Sequence, residues 1–582
     1  MIPTTRWRMH EPSEEIRDRL VEDLGIHPVI AQILINRDIR NSDDARRYLY
    51  PSLKDLHNPF LLKDMKTGVD RVIRAILDGE RVAVFGDYDV DGITSVALLS
   101  NFLSQIHDNT LHYIPDRVDE GYSLNRQAID KLHQGGVKLI ITVDCGTSDR
   151  DEVAYARSLG IDCVILDHHE VPDEIPDAVA VVNPNRRDCP FPFKQLAGVG
   201  IVFNFLIALR GGLRHGGFWH HRPYPNLREY LDLVALGTIG DIVPLIDENR
   251  ILTKIGLDLL NENHRVGIRA LRELAGLGSS VIDAGAASFS LIPRINAAGR
   301  IGSPEDAVRL LLSQDAAEAS EIAARLEAYN RERQRLEKVI FDDIFDRIDS
   351  DRHLRDRGVL VLSSPDWHPG VIGIVASRVV DRCYKPTILI SLRNGIGKGS
   401  GRSIAEFNLY RGLKQCESLL LSFGGHRYAA GISIREENIE SFTALLNEIT
   451  RKELTASDPT PQTVIDALCP LNEVNHSFLT QMEGLAPFGH MNPEPVICVR
   501  NVQISSPSVV GNKHLRMRVF GNGVSCNSIW FNKGHVIEAL SGASMDLAFT
   551  PQINYWNGAS SIQLKMKDMA AAARSSDIPS PR

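Results

Sequence analysis

Arg81-Val-Ala-Val-Phe85, running into Gly86-Asp87-Tyr88-Asp89-Val90-Asp91-Gly92, decides the fold. The five-residue apolar run reads as a buried strand, and the glycine and acids that follow mark where it ends. Thr94 to Leu103 then carries helical spacing. Val137 to Val143 and Ile161 to Leu166 repeat the apolar pattern with a helical stretch between them, and Ala178 to Val182 makes a fourth run. Strands alternating with helices predict βαβ units on a mostly parallel sheet, an α/β fold.

The predicted strand ends carry the chemistry. The first ends in Asp87, Asp89 and Asp91, the second in Asp144-Cys145-Gly146, and the third in Asp167-His168-His169-Glu170. A later helical stretch, Leu231 to Gly237, leads into Thr238-Ile239-Gly240-Asp241. In a parallel sheet the C-terminal strand ends share one crest, where ligands bind. Residues alternating along an extended chain point the same way, so the three acids after the first strand can converge. Two carboxylates about 4 Å apart repel by about 4 kcal/mol at an effective dielectric near 20, so a converged cluster calls for cations. Oxygen-rich ligands with one or two imidazoles suit Mn²⁺ or Mg²⁺ better than zinc. Alone, an Asp-x-Asp-x-Asp is usually a solvated turn, and an Asp-His-His is more often a loop pair. Four such clusters at element ends, in this order, point to a site for two divalent ions and to phosphoester hydrolysis.

The totals set the frame. The chain has 582 residues, too many for one core, with 43% apolar and 24% charged residues and a formal net charge of −9. The eight cysteines include no C-x-x-C pair and read as reduced, buried thiols. Neither a signal peptide nor a bilayer-length apolar run is read, so a cytoplasmic protein is expected. Gly395 to Gly401 reads as a glycine-rich loop, and it lacks the spacing of a Walker A motif.

At its acidic motifs the chain resembles the DHH phosphoesterase family. Asp89 and Asp91 match the first motif, Asp144 the second, Asp167-His168-His169 the third and Asp241 the fourth. The resemblance implies that Asp91, Asp144, His168 and Asp241 hold one metal, and Asp89 and Asp144 the other. Asp87 lies nearby and Asp144 bridges. It assigns His169, Asp87 and Asp167 to the catalytic step, with His169 close to the scissile phosphate. Phe85 stands where the family's pyrophosphatases carry a histidine, which puts a site of that type in doubt.

Ser422-Phe423-Gly424-Gly425-His426, with Gly399-Ser400-Gly401-Arg402-Ser403 upstream, resembles the DHHA1 substrate-binding domain. Pro293 to Arg300 and Trp367-His368-Pro369-Gly370-Val371-Ile372-Gly373 extend the likeness to the family's single-strand exonuclease branch. Substrate-binding candidates are therefore Arg117, Arg294, Arg300, Ser400, Arg402, Ser403, Gly424, Gly425 and His426. The organisation read is an N-terminal helical segment (1–55), a parallel-sheet DHH domain (56–302) and a long helical linker (303–350). A smaller α/β DHHA1 domain (351–455), an OB-like β-barrel (460–570) and a disordered tail (571–582) follow. Lys513, His514, Arg516 and Arg518 are groove candidates in the barrel, and Trp530 or Phe531 stacking candidates. The linker reads as a solvated helix with Ile322, Leu326, Tyr329, Leu336 and Ile340 as its apolar stripe. The insertion Arg214 to His221 reads as a solvent loop.

The implied function is a monomeric exonuclease that cuts single-stranded DNA from its 5′ end to mononucleotides with two Mn²⁺ or Mg²⁺ ions, in repair and recombination. Single-strand-binding protein and a RecQ-type helicase are the implied partners, and no membrane is expected. A phosphodiesterase for short oligonucleotides and an inactive single-strand scaffold are the alternatives. Acids intact at all four motifs argue against the second.

Overall fold

The computed structural model describes residues 6–117, 120–121, 123–454, 462–511, 513–540, 544–556 and 559–572. Its first unit is built on a five-stranded sheet in which every pair is parallel. The spatial order is Thr110–Tyr113, Val82–Gly86, Leu139–Val143, Asp162–Leu166 and Ala180–Val182. Helices cover both faces, so the central strands are buried at every position and apolar but for Thr142, as a doubly covered sheet requires. After Val82–Gly86 the chain crosses to one side of the sheet, and after Thr110–Tyr113 it returns to the other. That reversal places a crevice at the ends of Val82–Gly86 and Leu139–Val143, above which Asp87 and Asp144 sit. The edge strand Thr110–Tyr113 has no counterpart in the sequence reading. It is four residues long and only half-buried, so it lacks the apolar run of its neighbours.

Helix Ala316–Ser350 is 35 residues long, about 52 Å. The sequence reading of a solvated connector is corrected by its packing. Ile322 and Leu326 are buried in the core of the first unit, whereas Ile340, Ile344 and Ile348 are buried with Trp367, Val375 and Leu389 of the second. One helix thus belongs to two cores and fixes the units against each other.

The second unit is a mixed five-stranded sheet in the order Leu420–Gly425, Ala429–Arg435, Ile396–Arg402, Thr387–Arg393, Leu360–Ser364. Residues 395 to 401 read as a loop, but Ile396–Arg402 is the sheet's central strand. Gly397, Gly399 and Gly401 alternate on one face, where an added Cβ would come 2.5 to 2.8 Å from Ile390, Ile432 and Leu409. The glycines are there because large neighbours fill their space, and Lys398, Ser400 and Arg402 take the opposite face.

At the C-terminal end, five strands close a barrel: Ile497–Val510, His514–Gly521, Val524–Trp530, Ala559–Ala571, Met545–Trp556 and back to the first. The segment read as purely helical at the N-terminus begins with strand Arg6–Met9, which pairs in parallel with Gln462–Ile465. Its helices bury Ile30, Ile33 and Leu34 in one core with Leu515, Trp530 and Phe549 of the barrel. Arg250, 2% exposed, donates to the carbonyls of Tyr48, Gly484 and Leu485 and so ties the first unit to both. Residues 573–582, most of the predicted tail, lie outside the described residues, while 571 ends a barrel strand. Among the described residues no helix is long and apolar enough to cross a membrane. All eight cysteines are free; Cys383 and Cys526 are only half-buried.

Candidate metal centre and phosphate pocket

The crest of the first sheet gathers the acids. Asp89 caps the helix Val90–Ser104, its carboxylate accepting the Asp91 and Gly92 amides at 2.9 and 3.2 Å. Asp91 is fully buried, and its two oxygens accept the Gly198 and Val199 amides at 2.7 and 2.9 Å, at the start of another helix. That positive helix end suits a carboxylate. Asp144 follows the strand Leu139–Val143 with a left-handed backbone, φ +59°, so its carboxylate turns back over the crest. An added Cβ on Gly198 would come 2.8 Å from Asp144 Oδ1, so only glycine lets the helix approach this closely.

His168 brings these acids together. Its Nε2 lies 3.1 Å from Asp144, 3.5 Å from Asp241 and 3.9 Å from Asp91. Three ligand groups result: Asp91, His168 and Asp241; Asp87, Asp89 and Asp144; and Asp144, His168 and His169. Asp144 belongs to two of them. Burial, then neighbouring carboxylates, holds Asp87, Asp144 and Asp241 well above the usual carboxylate range and pushes Asp91 up to about 7. Burial, then the charge of His169, pushes His168 down to about 4. Asp87 Oδ1, Asp144 Oδ1 and His168 Nε2 are buried without a hydrogen-bond partner. Unpaired buried polar atoms are costly, and a divalent cation among them removes that cost. A carboxylate-rich set with one imidazole fits Mn²⁺ or Mg²⁺.

Asp167 plays a different part. Its oxygens accept the amides of Thr147, His168 and His169, and His169 Nδ1 at 2.7 Å. Burial opposes charge at both residues, but their mutual hydrogen bond wins. It holds Asp167 below the usual carboxylate range and His169 up to about 9. Asp167 orients His169 and keeps it cationic.

Beside Asp89 lies a cluster of arginines. Arg117 sits 5.0 Å from the Tyr88 ring centre. Burial, then the charge of Arg117, lowers both Arg300 and Arg402, Arg300 to about 10. Ser400 accepts Arg402 Nη1 at 3.2 Å. Among the described residues none of the three guanidiniums has a carboxylate within 4.0 Å. Such a group of like charges fits a polyanionic ligand.

Model matches cover the DHH family N-terminal domain over residues 81–238, the DHHA1 domain over 356–452 and the RecJ OB domain over 465–568. The chain is 37% identical over 572 residues to the single-stranded-DNA-specific exonuclease RecJ of Bacillus subtilis (strain 168). That alignment spans 97% of this chain and 71% of the relative. It is 35% identical to RecJ of Escherichia coli (strain K12), over 94% of this chain and 98% of the relative. The chain belongs to the RecJ family of single-stranded-DNA-specific exonucleases. RecJ of Thermus thermophilus, whose crystal structure is in complex with Mn²⁺, superposes with a TM-score of 0.83 at 29% identity. The match covers 98% of this chain and 80% of that one. The complex of the same RecJ with Mg²⁺ gives 0.76 at 28% identity, over 98% and 79%.

Of the other sequence candidates of this RecJ-family chain, Arg294 and Ser403 are held in contacts of their own, whereas Gly425 and His426 line a cleft with Asp167 and His169. Arg294 is held by Glu327 at 2.7 Å on the linker helix. The Ser403 hydroxyl is spent on the Phe407 carbonyl. Gly424 and Gly425 end a strand, and His426 Nδ1 lies 3.3 Å from Glu170 Oε1. His426 lines a cleft of about 190 Å³ with Ser123, Asp149, Asp167 and His169. Val118, Asp119 and Tyr122, neighbours of Arg117 in the sequence, lie outside the described residues. The insertion is not a free loop: Phe218 and Trp219 pack on the core and Arg222 lies 4.2 Å over Phe218, while His220 and His221 are exposed.

Sequence reasoning missed the carboxamides that hold the motifs. Asn296 Oδ1 accepts the Val90 amide at 2.9 Å. Asn183, fully buried, donates to Thr147 Oγ1 and to the His169 carbonyl, both at 3.0 Å. Asn183 stands one residue past the fourth predicted strand, which was the available signal.

Proposed function

We propose that this enzyme degrades single-stranded DNA from the 5′ end, releasing 5′-mononucleotides with two divalent ions. The observation that carries the reading is that the metal centre and the arginine cluster meet at one segment, Tyr88-Asp89. Asp91, His168 and Asp241 would hold one ion and Asp87 and Asp89 the other, with Asp144 between them. Such ions, when bound, supply an activated water and offset charge on the phosphate and leaving oxygen. His169, kept cationic by Asp167, would donate to the scissile phosphate.

A terminal 5′ phosphate carries close to two negative charges at neutral pH and an oxygen that an internal phosphodiester lacks. Arg117, Arg300, Ser400 and Arg402 would hold it, so that cutting starts at that end. His426 with Gly424 and Gly425 would contact the strand across the cleft, and Arg516 and Arg518 would grip it on the barrel. Action in repair and recombination in the cytoplasm, as a monomer beside single-strand-binding protein and a RecQ-type helicase, is supported by the family alone. The domain limits given by the motifs are part of the same proposal.

The test uses a long single strand labelled at either end, and a dinucleotide, with Mn²⁺. Labelled mononucleotide should appear first from the 5′ end. First release from the 3′ end would overturn the direction. A preference for the dinucleotide would favour an oligonucleotide phosphodiesterase.

A further inference from the structure

Trp367-His368-Pro369-Gly370-Val371-Ile372-Gly373 has no part in the reaction described so far. It joins the strand Leu360–Ser364 to the helix Ile372–Cys383. Trp367 is anchored: its Nε1 donates to Asp343 at 2.9 Å and its carbonyl accepts Ser391 Oγ at 2.7 Å. The next residue is therefore held in place.

The segment lies between the two halves of the arginine cluster. The Gly370 carbonyl accepts Arg300 Nη1 at 3.3 Å, and an added Cβ on Gly370 would come 2.6 Å from the Arg300 carbonyl. An added Cβ on Gly373 would come 2.8 Å from Ser400 Oγ and 3.2 Å from Arg402 Nη2. Both glycines are needed for that approach. The helix that starts here adds its positive end.

His368 Nδ1 accepts the Gly370 amide at 3.1 Å. A ring nitrogen that accepts carries no proton, so the neutral imidazole bears its hydrogen on Nε2. Burial, then the cations Arg393 and Arg117, holds His368 below its ordinary value, which keeps it neutral.

We propose that His368 is a further member of the terminal-phosphate pocket, donating Nε2–H to an oxygen of the 5′ phosphomonoester beside Arg117, Arg300 and Arg402. This rests on the end-recognition reading above. Arginines grip internal phosphodiesters as well as terminal phosphates, so a directed donor beside them sharpens the distinction that their charge makes. A neutral donor adds a hydrogen bond where more positive charge would repel its neighbours. Placed at the oxygen that only an end possesses, it separates the two.

The experiment measures kcat/KM of the full-length enzyme with Mn²⁺ on matched strands bearing a 5′ phosphate or a 5′ hydroxyl. In H368A the preference for the phosphorylated strand should fall about 10-fold or more, the value of one hydrogen bond to a charged group. H368Q, which keeps an amide donor, should restore part of it. Calorimetric Mn²⁺ binding and the melting temperature should match wild type in both. An equal loss on both strands, or an unchanged preference, would overturn the assignment. R402A run in parallel separates the two readings. If R402A also leaves the preference intact, end recognition by this pocket fails. If R402A lowers it and H368A does not, only His368 is excluded.

Discussion

Nε2 of His168 lies 3.1 Å from Oδ1 of Asp144, and neither buried atom has a hydrogen-bond partner. Two buried polar atoms this close with no hydrogen bond between them are placed to hold a cation in common. The Asp241 and Asp91 carboxylates approach the same nitrogen from other elements, so the point of convergence is set by the fold.

Asp144→Ala should therefore abolish hydrolysis with Mn²⁺ while leaving the fold intact, because its carboxylate serves both ligand groups. Ligand binding to the folded state alone stabilises by about 2.7 kcal/mol at 100 times the dissociation constant. Wild type should show a Mn²⁺-dependent rise in melting temperature that the variant loses. Near-normal turnover in Asp144→Ala, at any Mn²⁺ concentration, would contradict a bridging ligand.

The acids also predict how the metal-free protein responds to pH. Asp91 titrates near 7 when folded, against an ordinary 3.8, so the folded state keeps a proton that the unfolded chain has lost. That contribution is complete at low pH and disappears as pH rises through 7, and Asp87, Asp144 and Asp241 act in the same direction. His168 opposes them only between about 4 and 6.5, where the unfolded chain binds the proton and the folded one does not. Above 6.5 His169, held up to about 9 against an ordinary 6.5, acts in the same direction as the carboxylates, since its folded form keeps a proton that the unfolded chain has lost. In EDTA the melting temperature should fall from pH 6.5 to 8, and the stabilisation by saturating Mn²⁺ should grow over the same range. A Mn²⁺-induced shift that stays flat across that range would contradict it.

Gly299 tests how tightly the metal loop is held. A Cβ there would come 2.1 Å from the Tyr88 carbonyl, which leads directly into Asp89. Gly299→Ala must displace that segment or its own helix, a cost of about 1–3 kcal/mol. Activity should drop together with Mn²⁺ affinity. Gly216→Ala, whose Cβ would meet nothing nearer than 3.7 Å, should leave both unchanged.

What was legible in the sequence is what carries charge at an element's end. Asp89, Asp144 and His168 after buried strands and Asp241 after a buried helix mark the crest because four acidic or imidazole clusters recur at element ends in one order. Asn296 gives no such sign: it is neutral and acts on Val90 from 206 positions away. Residues 396–402 were misread because alternating glycines imitate a loop when their partners, Ile390, Ile432 and Leu409, are unknown. The strand Arg6–Met9 was hidden in the same way, since its partner lies more than 450 residues further on.

In the barrel, the alternation of a strand separates roles that the sequence left open. Trp530 is 4% exposed and belongs to the core, whereas Phe531 is 45% exposed and packs edge-on against His514. Arg516 and Arg518 face outward. Deleting residues 460–582 would also strip the core from Ile30, Ile33 and Leu34, so point variants are the cleaner test. Trp530→Ala should cost about 3–5 kcal/mol of stability. Arg516→Ala with Arg518→Ala should weaken binding to long strands and lower the salt slope by about 2, leaving stability unchanged. An unaltered salt slope would remove this face from the strand's path.

Arg402 gives the sharpest test of end recognition. It lies on a sheet strand whose backbone amides are committed to neighbouring strands, so the pocket must work through side chains. Ser400 shares its face, and Gly401 O holds its Nη1 at 2.7 Å, which aims the guanidinium. Burial and Arg117 oppose its charge, and a doubly charged phosphate would relieve both. Arg402→Ala should therefore slow digestion of 5′-phosphorylated strands by about 10–100-fold more than that of 5′-hydroxyl strands, as expected for a lost charged hydrogen bond. The metal ligands are untouched, so the residual activity should keep its Mn²⁺ dependence. Both substrates are compared at matched salt in wild type and variant. An equal loss on both would mean that Arg402 grips the backbone wherever it lies, and that the end is recognised by other residues.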